Sequence, residues 1–276
     1  MASDITLSAS MRSALNSMLT TNSQAATAQS RLTTGKKVNS AIDNPASFFT
    51  AQGLSNRSSD LKSLLDGMGQ AQKTVEAASS GLTAVSKLVE SAKGIAKQAA
   101  STTDGTLRTE LGKQYVSLMK DIDLAVDDAA YNGTNLINSA DAANKMTVKF
   151  SEKSASKLDV AGVSAKAVDL GITDATSATW PDADAVATSV GYLDTASSKL
   201  RSLASSFSTS TAIIGNRQEF TKSITDTLDA GSDALTVADV NEEGAKLLAL
   251  NTRATISQSA LSLASQREQG IARLFG

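Results

Sequence analysis

Two stretches, one towards each end of the chain, carry narrow apolar stripes on otherwise polar sequence. Met11, Leu15, Met18, Ala25 and Leu32 recur at steps of three, four or seven. Leu247, Leu250, Ala254, Leu261, Ala264, Ile271 and Phe275 repeat the pattern near the other end. The intervening residues are mostly Ala, Ser, Thr and Gln. Such a stripe is stable only beneath a facing helix, and neither stretch has a partner close by in sequence. The two ends are expected to pair with each other and to offer contacts to neighbouring molecules. Assembly is therefore the first functional hypothesis. The residues expected to carry it are Met11, Leu15, Met18, Leu32, Leu247, Leu250, Leu261, Ile271, Leu274 and Phe275.

The same periodicity places the remaining elements. A first helix runs from about Ser8 to Thr34, with Gly35 as its C-cap and Lys36 and Lys37 beside its negative end. Asn44 caps a second helix and Pro45 takes its first position. Leu54, Leu61, Leu64, Leu65, Met68, Val75, Leu82, Val85, Leu88 and Val89 continue that helix to about Ala100. Gly53, Gly67, Gly69, Gly81 and Gly94 inside it point to close helix approach or local flexibility. Gly67-Met68-Gly69 lacks the preceding strand that a phosphate loop needs. After a break at Thr103-Asp104-Gly105, a returning helix uses Leu107, Leu111, Leu118, Ile122, Ala125 and Ala129 until the Asn132-Gly133 turn.

Met146–Phe150 and Lys157–Val160 alternate as strands do, around a polar loop at Ser151–Ser156. Thr173–Thr179 reads as a soft polar tract. Behind Pro181, Asp182 opens a long helix on Val186, Val190, Leu193, Leu200, Leu203, Phe207, Ile214, Ile224, Leu228 and Leu235, a seam of roughly 75 Å at 1.5 Å per residue. A final helix spans about Asn241 to Leu274. The expected fold is mainly α: an elongated helical bundle with paired terminal coiled-coil helices and a small β-hairpin insertion. Its domains would be 1–44 with 236–276 (terminal helices and connector), 45–139 with 182–235 (helical core), and 140–181 (β insertion, projecting opposite the paired ends).

Composition narrows the chemistry. The 276 residues include no cysteine and no histidine, so disulfides, thiolate nucleophiles, the usual zinc sites and imidazole catalysis are excluded. Aromatic residues make up 4%, too few for a thick aromatic core, and only two prolines interrupt helices. With 26 basic and 28 acidic residues and no basic cluster, a nucleic-acid footprint is missing. No run approaches the ~20 apolar residues of a membrane span, and Met1–Thr6 does not begin a cleavable signal peptide. The carboxylate pairs Asp127/Asp128 and Glu242/Glu243 point about 100° apart on a helix. They are expected on a solvated face or in ion pairs between subunits. No catalytic, cofactor-binding or metal-binding residue is assigned.

Several motifs, in this order and spacing, resemble those of bacterial flagellin, the flagellar filament subunit. They are Arg31-Leu32-Thr33-Thr34-Gly35-Lys36-Lys37-Val38-Asn39-Ser40-Ala41-Ile42-Asp43-Asn44-Pro45-Ala46, Ala130-Tyr131-Asn132-Gly133-Thr134-Asn135-Leu136-Ile137, Asn216-Arg217-Gln218-Glu219-Phe220-Thr221, Ala238-Asp239-Val240-Asn241-Glu242-Glu243 and Ile271-Ala272-Arg273-Leu274-Phe275. The phrase from Asp43 to Gln52 looks most like flagellins of the alphaproteobacteria. The resemblance implies a homopolymer whose terminal helices form an inner tube, with the other helices outside. It implies export of an unfolded chain by the flagellar type III apparatus with a chaperone, and addition beneath a cap protein, next to hook-junction proteins. The filament would lie outside the cell, without nucleic-acid or membrane partners. A hook–filament junction protein, which shares the terminal helices, is the alternative. O-glycosylation, frequent in the family, is expected on Thr173–Thr179 or Ser205–Thr211. In the stretch Val89–Gln98, which aligns with the family's immune-receptor epitope, Ser91 and Gly94 replace Arg and Glu; weak receptor activation is the expectation.

Overall fold

The computed structural model describes residues 9–139, 144–153, 156–174 and 176–275. Helix α1 (Ala9–Thr34) ends where Gly35 turns to φ +69°, a conformation that suits glycine. Helix α2 (Pro45–Ser101) starts behind Asn44, whose Oδ1 accepts the Ser47 N–H at 3.1 Å. Asp104 caps α3 (Gly105–Asp128) by accepting the N–H groups of Thr106 and Leu107 at 2.8 and 3.3 Å. Strands β1 (Lys145–Lys149) and β2 (Lys157–Ala161) pair antiparallel, with Val148 opposite Leu158 and Met146 opposite Val160. The Ser151–Ser156 loop lies between them, residues 154 and 155 falling outside the described set. Asp182 caps α4 (Ala183–Thr236) through the Ala185 N–H at 2.9 Å. Asp239 caps α5 (Val240–Phe275) through Asn241 and Glu242 at 2.8 and 3.2 Å. Each start thus satisfies backbone donors that a helix leaves unpaired. The expected mainly α fold with a small β-hairpin is observed.

The chain divides into two compact units: Met1–Arg57 with Thr227–Gly276, and Ser58–Asp226. In the second, one apolar cluster joins three helices. It takes Met68, Val75, Leu82, Val85 and Val89 from α2, Leu111, Tyr115, Met119, Ile122 and Val126 from α3, and Val186, Leu193, Leu200, Phe207 and Ile214 from α4.

Three sequence expectations change or sharpen here. The buried face of α3 runs through Arg108, Leu111, Tyr115, Met119, Ile122 and Val126, while Leu107 is 44% exposed. Arg108 occupies the inner face because its guanidinium donates to the carbonyls of Ala99 (3.3 Å), Thr102 (2.6 Å) and Pro181 (3.1 Å). It ties the end of α2 to the start of α4, and the three acceptors compensate for burying the charge. Second, the β insertion, expected on the helical core, contributes its own large residues to the same cluster: Val148, Phe150, Val160, Leu170, Ile172 and Trp180.

Third, Thr173–Thr179 is not a soft tract, although Ala175 falls outside the described residues. Tyr115 donates to Asp174 at 3.0 Å, Ser189 donates to the same carboxylate, and Trp180 Nε1 donates to Ser189 at 2.9 Å. Burial, reinforced by the Asp174 carboxylate, pushes the Tyr115 phenol well above its ordinary value. The Tyr115 and Trp180 rings lie 5.0 Å apart. Of the five glycines in α2, only Gly81 meets a neighbour: a Cβ there would sit 2.5 Å from Ala129 Cβ and 2.7 Å from Ile137 Cδ1. The Asn-Gly turn forms as expected, with Asn132 and Gly133 at φ +46° and +77° between reciprocal 2.9 Å bonds of Tyr131 and Thr134.

Candidate assembly surface

In the unit made by the two ends of the chain, α1 packs against α5. The helices run antiparallel, because α1 ends and α5 begins at the same junction. At that junction Ala238 N–H donates to the Gly35 carbonyl at 3.0 Å, and the N–H groups of Lys37 and Val38 donate to Thr236 O at 2.7 and 3.3 Å. Val38 and Ala238 are buried beneath these bonds. Lys37 was expected beside the end of α1. Its ammonium instead donates to Ala234 O at 2.8 Å, capping the last turn of α4.

The seam of the pair follows alternating steps of three and four. On α1 it takes Met11, Ala14, Met18, Thr21, Ala25, Ala28 and Leu32. On α5 it takes Glu243, Leu247, Leu250, Ala254, Ser257, Leu261 and Ala264. All of these are buried or half-buried, as knobs-into-holes packing of a heptad requires. Half of these residues are Ala, Ser or Thr, which allows close approach and limits the apolar area buried.

Of the ten residues expected to carry assembly, Met11, Met18, Leu32, Leu247 and Leu261 are half-buried in this seam and Leu250 is buried in it. Leu15 lies off the seam at 38% exposure, and Ala14 takes its place. Ile271, Leu274 and Phe275 belong to α5, but their side chains fall outside the described residues. Other large apolar side chains point to solvent: Leu19 at 59%, Leu248 at 71%, Ile256 at 63% and Leu263 at 58%. Sequence reasoning followed one stripe per helix and passed over these. A signal was present: neither 13–30 nor 254–266 contains a charged residue.

The charges that do occur hold the junction. Arg31 Nη1 meets Glu243 Oε1 at 2.8 Å, with the Glu243 side chain only 8% exposed. Glu243 also sits in the first turn of α5, where the helix dipole favours a carboxylate. Its pair lies within one chain, where the sequence pointed to a solvated face or an ion pair between subunits. Asp127 likewise pairs internally, with Lys166 at 3.0 Å. In the connector, Asp43 accepts the N–H groups of Asn39 and Ser40 at 3.0 and 2.9 Å and the Ser40 hydroxyl at 3.2 Å. These backbone donors, Asn39 first, hold its carboxyl below the ordinary value of 3.8. The loop so fixed presents Ile42 to solvent at 94% exposure. Beside it, Val38, Phe48, Ala51, Gln52, Ser55 and Ser232 line a cleft of about 130 Å³.

Among the described residues, no three His, Cys, Asp or Glu side chains gather as a metal site would require, and no helix is long and apolar enough to cross a membrane. What the arrangement offers is contact surface.

Comparison with known proteins agrees in kind. A family model described as the bacterial flagellin N-terminal helical region matches residues 5–142. The flagellin FljK of Caulobacter vibrioides is 31% identical over 264 residues, covering 95% of this chain and 94% of its own. A flagellin of Brucella melitensis is 27% identical over 288 residues, covering 100% of this chain and 99% of its own. Among solved structures, the crystal structure of Bacillus cereus flagellin matches with a TM-score of 0.48 and 19% identity, over 55% of this chain and 86% of that one.

Proposed function

Since the chain belongs to the bacterial flagellin family, we infer that it is a structural subunit of the flagellar filament, polymerising with copies of itself for swimming motility. The relatives in Caulobacter and Brucella match over nearly their whole length, so the reading extends to the entire chain. The observation that carries the mechanism is the antiparallel α1–α5 pair, which leaves large apolar side chains in water on both helices. A subunit that ends in such a pair has a reason to meet neighbours.

The finer reading assigns layers and partners. Residues 1–44 and 236–276 are the inner, assembling part of the subunit, with Met11, Leu15, Met18, Leu32, Leu247, Leu250, Leu261, Ile271, Leu274 and Phe275 along it. The chain leaves the cell unfolded through the type III export apparatus, accompanied by a chaperone, and is added beneath the cap to a filament seated on hook-junction proteins. The thin Ala/Ser/Thr seam supports this, because a pair with little apolar area orders only when neighbours cover it. The filament subunit is preferred over a junction protein because the full-length relatives are named as flagellins.

Seeding tests the core of this reading. Purified chain mixed with short filament fragments should grow fibres many subunits long under electron microscopy. A stack that stops after a few subunits would assign the chain to the junction instead.

A further inference from the structure

We propose that Asn132 is a site of spontaneous modification. The Gly133 backbone nitrogen attacks the Asn132 side-chain amide, expels ammonia and closes a five-membered succinimide, which water opens to aspartate or isoaspartate. The inference concerns the core unit and stands apart from the filament reading.

The sequence supplies the reacting pair. The nucleophile is the backbone nitrogen that follows the asparagine, and any Cβ on that residue hinders its approach. Asn132 is the only asparagine of the chain followed by glycine.

The structure leaves both reacting groups open. Asn132 and Gly133 are exposed at the tip of their turn. Among the described residues, neither the Asn132 amide nor the Gly133 N–H has a hydrogen-bond partner. A Cβ placed on Gly133 would meet nothing within 4 Å, so a ring has room to close. Other asparagines are held. Asn135 donates to Val126 O at 2.7 Å and accepts the Ile137 N–H at 2.9 Å. Asn39 Nδ2 donates to the Thr34 hydroxyl at 3.0 Å. Asn44 precedes proline, which has no N–H. Asn216 and Asn251 lie inside helices, where the following N–H is bonded to a carbonyl one turn back.

The turn sets the rate. Attack requires rotation about the Asn132 Cα–C bond, and the reciprocal 2.9 Å bonds of Tyr131 and Thr134 oppose it. Tyr131 is itself anchored by its hydroxyl on Gln70 Oε1 at 3.0 Å. The reaction therefore proceeds through local openings of a two-residue loop. Overall, one amide and one water become one carboxylate and one ammonium, with no change of oxidation state. The chain gains a negative charge. In the isoaspartate product the main chain also runs through the former side chain. That adds a methylene to a turn leading directly into buried Asn135, Leu136 and Ile137.

The test incubates purified full-length chain in mildly alkaline buffer made with heavy-oxygen water, followed by digestion and mass spectrometry. The Asn132 peptide should carry aspartate and isoaspartate, each with one heavy oxygen, at least tenfold above any other asparagine peptide. Isoaspartate forms only through the ring, so aspartate without it would assign direct hydrolysis by water and overturn the proposal. An unmodified Asn132 peptide would overturn it as well, as would modification spread evenly over Asn22, Asn39 and Asn138. Gly133→Ala should slow product formation at least tenfold, and an unchanged rate would remove the Gly133 nitrogen as nucleophile. Alanine at φ +77° strains the turn, so the isoaspartate content of the wild-type chain, which needs no variant, is the independent second readout.

Discussion

At the scale of single residues, the terminal junction is held by a few polar groups whose roles differ. Arg31–Glu243 is a half-buried pair, with Arg31 at 32% and Glu243 at 8% side-chain exposure. Removing one partner of a fully buried pair costs about 3–5 kcal/mol, and the exposure of Arg31 lowers that to roughly 1–3 kcal/mol. Glu243→Gln and Arg31→Ala should each lower the guanidinium midpoint of filament dissociation. The double variant should lose less than the sum, since the two changes remove one interaction. Additive losses would show that the pair is not coupled. Asp43 acts through pH. Its carboxyl is held below 3.8 by the Asn39 and Ser40 N–H groups, so the loop gains stability above the unfolded value and loses it as pH falls through the folded one. Amide exchange at Asn39 and Ser40 should therefore accelerate only below that range, and Asp43→Asn should abolish the acid step. The turn residues Gly35, Asn132 and Gly133 and the cap Asn44 were legible in sequence, because each satisfies a local rule. Arg31–Glu243 was not: its partners lie 212 residues apart, and nothing local distinguishes Glu243 from Glu242.

Among the elements, helix existence and type were readable, while the inward face was read less well. The α3 seam was taken from its leucines and came out one position off at Leu107, because Arg108 is drawn inward by three carbonyls and Tyr115 by Asp174. A polar residue with buried partners overrides an apolar periodicity, and those partners, Pro181 and Asp174, come from distant sequence. The same holds for Leu15, which a stripe of large residues claims and the seam yields to Ala14. Interior glycines sharpen the point. Gly81→Ala would bring a methyl to 2.5 Å from Ala129 Cβ and should destabilise the core unit by about 1–3 kcal/mol. Gly94→Ala meets nothing within 4 Å and should stabilise it by about 1 kcal/mol. Urea midpoints that move in opposite directions would bear this out, and two shifts of the same sign would refute it.

For the whole molecule, the division of labour can be tested by removal. A chain ending at Val240 keeps Ser58–Asp226 entire but strips α1 of its partner helix. It should retain the helical circular dichroism of its core and form no fibres on wild-type seeds; fibres of normal length would contradict the role given to α5. The junction where Gly35 bonds Ala238 and Arg31 reaches Glu243 has a kinetic side as well. Bringing two points 212 residues apart together from an open coil costs on the order of 4–5 kcal/mol of loop-closure entropy. Once Ser58–Asp226 has folded, most of that loop is already closed, and only the short arms on either side still have to find each other. The order of events is then set by topology: the core collapses first, and the helix pair zips last and opens first. A refolding chain should show two phases, with amides in α1 and α5 gaining protection only in the slower one.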